Sequence, residues 1–133
     1  MNIYKSKYQF INYLKDQALM EVGFFPETEF MLDYQYRDEA EIFLTIISEE
    51  KPHQVLFDFR NLMFIVTPET QDWFSPKLGA TYANLGYKIK QAMVVSQDFV
   101  SQLATEQIIN DTDTFQIQYF SDEQKARDWL KAS

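Results

Sequence analysis

Two short runs of consecutive apolar residues, Val55-Leu56-Phe57 and Ala92-Met93-Val94-Val95, constrain the fold more than any other feature of this chain. Both fall far below the roughly 20 residues that span a bilayer. Both read as the centres of strands, and the first as a strand covered on both faces, as in a parallel sheet. The intervening segments have helical periodicity. Tyr36, Ala40, Phe43, Leu44 and Ile47 recur on one helical face, while Glu39, Glu41, Glu49 and Glu50 fall off it. A helix is expected from about Glu29 or Asp33 to Glu50, with Pro52 stopping it. His53 to Phe59 then reads as a buried strand. Thr67-Pro68-Glu69 reads as a helix start: a capping hydroxyl, a Pro suited to the first turn, and an acid at the positive end of the dipole. That helix carries Trp73, Phe74, Leu78, Tyr82 and Leu85, and Gly86 is placed to end it.

The remaining elements extend the pattern. Tyr8 to Leu14 and Ala18 to Phe25 read as antiparallel strands joined by the tight turn Lys15-Asp16-Gln17, with Pro26 closing the second. Arg60 to Val66 reads as a loop with an extended approach to the next helix. Lys88 to Ser96 is a strand. Ser96 caps a helix from Gln97 to about Asn110, and Asn110 to Thr114 is a polar turn. Phe115 to Phe120 is a last strand at an edge, and Ser121-Asp122-Glu123-Gln124 opens a final helix with Ala126, Trp129 and Leu130 inward. The order β-β-α-β-α-β-α-β-α predicts an α/β fold in one domain over residues 1–133: a mostly parallel five-stranded sheet, an N-terminal antiparallel hairpin and about four helices.

Composition removes several functions. With no Cys and one His, thiolate chemistry, Cys-based metal sites and multi-histidine metal sites are excluded. A net charge of −8 argues against nucleic acid. No calcium loop, phosphate-binding loop or dinucleotide fingerprint occurs. The chain is expected to be cytoplasmic, without signal peptide or membrane span. No catalytic, cofactor or metal residue is read from it, and His53, beside Pro52, has no evident nucleophile to activate. Four residues stand out as candidate partner or ligand contacts: Asp58, Arg60, Thr67 and Trp73. Asp58 sits inside an apolar strand, near the carboxyl end outside which parallel sheets bind ligands, and its carboxylate either ties the following loop or meets a partner. Arg60 can reach it only if the strand has ended. Thr67 reads first as a cap, with an anion site as the competing role. Between Asp16 and Glu50 stand ten acids and one base, Arg37, which form a solvated face or a docking surface for a basic partner. The two Trp, eight Tyr and twelve Phe raise a further question. Phe24-Phe25, Phe59 and Phe64 are hard to place all inward, and an apolar cavity near Phe59, Phe64 and Trp73 would indicate a ligand site.

The segment Val55-Leu56-Phe57-Asp58-Phe59-Arg60-Asn61-Leu62 resembles the central strand of bacterial STAS/SpoIIAA-like proteins, and Ala92-Met93-Val94-Val95-Ser96 resembles the strand that follows. Phe120 to Leu130 is similar to their C-terminal pattern of an aromatic, a polar cap, acids, Ala and Trp-Leu. The resemblance covers roughly residues 53–131 and implies a β/α superhelix and a non-catalytic regulatory or protein-interaction module. CRAL-TRIO proteins resemble it more distantly and imply the alternative, a small lipid or apolar-ligand carrier. In the family's anti-sigma-factor antagonists an Asp-Ser at the start of the second helix accepts phosphate. Here Val66-Thr67 occupies that position, and the missing acid points away from a kinase switch. A protein partner, a small apolar ligand and self-association are the partner readings carried forward.

Overall fold

The computed structural model describes residues 1–98, 110–111 and 113–132. It is an α/β structure built on a seven-stranded mixed sheet, in the order β1-β2-β3-β4-β5-β7-β6. The strands are β1 (Asn2–Lys5), β2 (Gln9–Leu14), β3 (Leu19–Phe24), β4 (Gln54–Asp58), β5 (Ile89–Val94), β6 (Asn110–Asp111) and β7 (Phe115–Phe120). The pairs β3–β4, β4–β5 and β5–β7 are parallel; β1–β2, β2–β3 and β6–β7 are antiparallel. The described α-helices are α1 (Asp33–Glu50), α2 (Pro68–Ala83) and α3 (Glu123–Lys131).

Three expectations about the sheet are corrected. It is mixed rather than mostly parallel, because the hairpin, β1 and β6 add three antiparallel pairings to the three parallel ones. It has seven strands, not five, because an extra strand lies at each edge. β1 was missed because it is exposed at both ends and has no apolar alternation to reveal it. β6 replaces part of the expected polar turn at Asn110 to Thr114: Asn110 and Asp111 pair with Ile117 and Gln116, so β7 is not an edge strand. Three α-helices are described rather than four. The helix expected from Gln97 to about Asn110 lies outside the described residues, apart from Gln97 and Asp98, which are helical, and Asn110, which is in a strand.

Alternation along the strands divides the core into two layers. On one face Ile11, Met20, Val22, Val55, Phe57 and Ile89 pack against Phe43, Leu44 and Ile47 of α1 and Leu78 and Tyr82 of α2. On the other, Leu19, Leu56, Ala92 and Val94 pack against Ala126 and Leu130 of α3. The β3–β4 and β4–β5 crossovers, through α1 and α2, step the same way along the sheet, so a single handedness places these two helices on the same face.

Local chemistry sets the boundaries. The hairpin turn is a single 3-10 turn, Lys15–Gln17, closed by Ala18 in the left-handed region at φ 49°. Lys51 ends α1 in the same region at φ 54°, directly before Pro52. Pro26 starts a 3-10 turn, Pro26–Phe30, so α1 begins at Asp33, the later of the two expected starts. Helix α3 is capped by Asp122, not Ser121. One Asp122 carboxylate oxygen accepts from the N–H groups of Gln124 at 2.8 Å and Lys125 at 3.1 Å, which a neutral hydroxyl does less strongly. Gly23 pairs with Phe10, whose ring covers it; a Cβ there would lie 2.3 Å from that ring.

Candidate functional site

Parallel strands β3 and β4 end side by side; Asp58 is at the end of β4, Arg60 and Thr67 lie in the β4–α2 connection, and Trp73 follows in α2. Asp58 is the last residue of β4, so the chain is free to turn and Arg60 folds back on it. The Arg60 Nε and Nη2 donate to the two Asp58 carboxylate oxygens at 2.9 and 2.7 Å, and the Arg60 backbone N–H donates to Oδ1 at 3.0 Å. This fork continues into α3. Arg60 Nη2 donates to Glu123 at 2.8 Å, Arg127 donates to Glu123 at 2.9 Å, and Arg127 pairs with Glu21 of β3 at 2.6 Å. Burial alone would raise the Asp58 pKa. The Arg60 hydrogen bonds and the charges of Arg60 and Arg127 outweigh that and hold it below the ordinary carboxylate value. Asp58, in turn, pushes the Arg60 pKa up. Three acids and two arginines satisfy one another here, so the cluster ties β3, β4 and α3 together.

Thr67 is the N-cap of α2. Its hydroxyl accepts from the Thr70 N–H at 3.2 Å and pairs with the Thr70 hydroxyl at 3.2 Å. Thr70 in turn hydrogen-bonds Asp33 at the start of α1, joining the two helix N-termini. Trp73 is half-buried and lies between cations of both helices. The Arg37 guanidinium is 5.0 Å and the Lys77 ammonium 5.2 Å from its ring. His53 is exposed and stacks on Tyr87 with ring centroids 4.0 Å apart.

Between the sheet and the α1–α2 layer lies a cavity of about 880 Å³. Phe57, Phe59 and Met93 form part of its floor, Phe43 and Phe74 line its helical side, and Leu62, Phe64 and Val66 close its loop side. Phe59 and Phe64 thus stand where the sequence suggested, but Trp73 does not line it. Loop residues 61–67 explain how a chain so rich in apolar residues is accommodated. They alternate strictly: Leu62, Phe64 and Val66 turn toward the cavity, while Met63 and Ile65 turn out. The Phe64 ring stacks on Tyr36 at 5.0 Å. Burial, followed by the nearby charge of Asp33, pushes the Tyr36 pKa up to about 12. The Phe24-Phe25 pair splits: Phe24 enters the core beside Phe59, and Phe25 packs against Phe10.

The polar residues of the cavity wall were not legible in the sequence. Glu39, expected off the apolar face of α1, is instead 8% exposed. It can be buried because β1 and the following turn supply donors: the Tyr4 hydroxyl at 2.6 Å, and the Ser6 hydroxyl. Gln9 donates to the Glu39 carbonyl at 2.8 Å. Gln91, buried in β5, accepts from the Tyr82 hydroxyl at 2.5 Å. The available signal was a glutamine at an inward position of a strand, in Gln9 and Gln91 alike. Among the described residues no three His, Cys, Asp or Glu side chains are grouped to hold a metal, and no helix is long and apolar enough to cross a membrane. No family model, curated protein or solved structure matches the chain.

Proposed function

We propose that this chain is a non-catalytic α/β module of STAS-like type, arranged as a β/α superhelix, that holds a small apolar or amphipathic ligand in the manner implied by its more distant likeness to CRAL-TRIO proteins. The observation that carries this reading is the cavity of about 880 Å³, whose lining includes seven Phe side chains. Ligand pockets run from roughly 300 to 1,000 Å³ and are mostly apolar with a few placed polar groups. Glu39, Gln9 and Gln91 supply such groups: Tyr4 and Ser6 orient Glu39, the Glu39 carbonyl orients Gln9, and Tyr82 orients Gln91.

The test is native mass spectrometry of freshly purified protein, combined with fluorescence titration of a dansyl-labelled undecanoic acid. Ala40→Phe places a ring into the wall of the cavity, where Ala40 lies between Phe43 and Tyr36 on the α1 face. The expected result is probe binding by the wild type and a loss of about tenfold or more in affinity in a folded Ala40→Phe protein. Equal affinities in the two proteins, or no binding and a bare polypeptide mass, would show a cavity closed to ligand and overturn the reading.

A further inference from the structure

We propose that the loops leaving β3 and β4 form a docking surface for a cationic, amphipathic segment of a partner protein. Phe30 is 75% exposed, Leu32 58%, Tyr34 61%, Met63 48% and Ile65 83%. Phe30 and Leu32 precede α1, Tyr34 lies in its first turn, and Met63 and Ile65 lie on the adjoining loop after β4; large side chains left this open together are unusual in a monomer and mark an interaction site. Their exposure is built in. Thr28, fully buried, accepts from the Met63 N–H at 2.9 Å and donates to the Phe25 carbonyl at 2.8 Å, so one hydroxyl fixes both loops. Met31 is buried between exposed Phe30 and Leu32, and Phe64 is stacked on Tyr36 between exposed Met63 and Ile65. The inward residues anchor the backbone and force their neighbours out.

The surrounding charge selects the occupant. Glu27 and Glu29 are exposed on the β3–α1 connection and Glu69 in the first turn of α2, and no Lys or Arg occurs from Asp16 to Tyr36. Of the cations near these connections, Arg37 is paired with Asp33 at 2.7 Å, Arg60 with Asp58 and Glu123, and Lys5 lies over the Phe25 ring at 5.7 Å. An apolar centre with an anionic rim complements a segment with an apolar stripe flanked by Lys or Arg. A second copy meeting it face to face would set these acids against themselves, and an anionic lipid surface would be repelled.

The test uses the whole chain and a fluorescein-labelled 14-residue peptide of two Leu-Lys-Lys-Leu-Leu-Lys-Leu heptads, with anisotropy as the readout. The comparison peptide carries Glu at every Lys. Binding of the Lys peptide is expected in the micromolar range, with no saturable binding of the Glu peptide. Phe30→Ser/Ile65→Ser and Glu27→Lys/Glu29→Lys should each weaken it about tenfold. Glu49→Lys/Glu50→Lys, at the far end of α1, makes the same charge change and should alter it less than about twofold. All six positions are exposed, so circular dichroism should show each variant folded. Equal weakening by the two charge-reversal pairs would reveal attraction to net charge alone and overturn the proposal. So would indifference to Phe30→Ser/Ile65→Ser, or the absence of binding. Two further results would also sink it: sedimentation of the protein with phosphatidylcholine vesicles, lost in Phe30→Ser/Ile65→Ser, would assign the patch to a lipid surface, and a dimer lost in that variant would assign it to a second copy.

Discussion

Thr67 and Asp58 perform the same task at successive points of one connection: each offers oxygen to backbone N–H groups that the chain cannot otherwise satisfy. At Thr67 the acceptor is a neutral hydroxyl. Thr67→Ala should lower stability by roughly 0.5–2 kcal/mol in urea unfolding, while Thr67→Ser and Thr67→Asp should stay near wild type. An unchanged Thr67→Ala would deny the cap. At Asp58 the acceptor is charged, and pH therefore matters. Burial opposes ionisation, but Arg60 and Arg127 prevail and the folded pKa lies below the unfolded one. Its contribution is thus present above the unfolded value of about 3.9 and is lost as pH falls through the lower folded value. Asp58→Asn keeps an oxygen for the Arg60 N–H but removes the charge. It should lower stability at pH 7 and flatten the decline in stability below about pH 4; parallel acid limbs for the two proteins would remove Asp58 from that linkage. The cap was readable because Thr, Pro and Glu are contiguous. The ion cluster was not, since Glu21 is brought to Arg127, and Arg60 to Glu123, only by the fold.

Elements with strong local chemistry were readable in the same sense. The continuous apolar runs gave β4 and β5, caps and breakers gave α2, and the spacing of Ala126, Trp129 and Leu130 gave α3. Elements that exist only through their neighbours were hidden: β1 and β6 are short edge strands stabilised by the ladders they join. Helix α3 tests how far local pattern becomes tertiary packing. Trp129 lies 5.7 Å from the Phe120 ring, and the Lys90 ammonium sits 4.4 Å over its face while donating to the carbonyls of Trp129 and Ala132. Because Trp129 is only partly buried, Trp129→Ala should cost near the lower end of the roughly 3–5 kcal/mol of a core aromatic deletion. Urea unfolding checks it, and a loss under about 1 kcal/mol would mean that the ring does not dock the helix.

At the scale of the molecule, the central sheet both joins and insulates two cores. Ile47 of α1 and Leu130 of α3 are almost fully buried, but in different clusters on opposite faces. The two clusters have no residue in common, while β3, β4 and β5 contribute residues to both. Removing a methylene on one face should therefore leave packing on the other unchanged. Ile47→Val should cost about 0.5–1.5 kcal/mol and Leu130→Ala about 2–5 kcal/mol. The double variant should show their sum to within roughly 0.5 kcal/mol, as independent sites do. It should also still unfold in one transition, because neither layer retains a covered sheet once the other is lost. The two clauses can fail separately in urea unfolding followed by tryptophan fluorescence and far-UV circular dichroism. A coupling well above that bound would show strain passing through the sheet. Non-coincident transitions would show that the α3 layer, with its salt-bridged Arg127 and Glu123, opens before the layer that encloses the cavity.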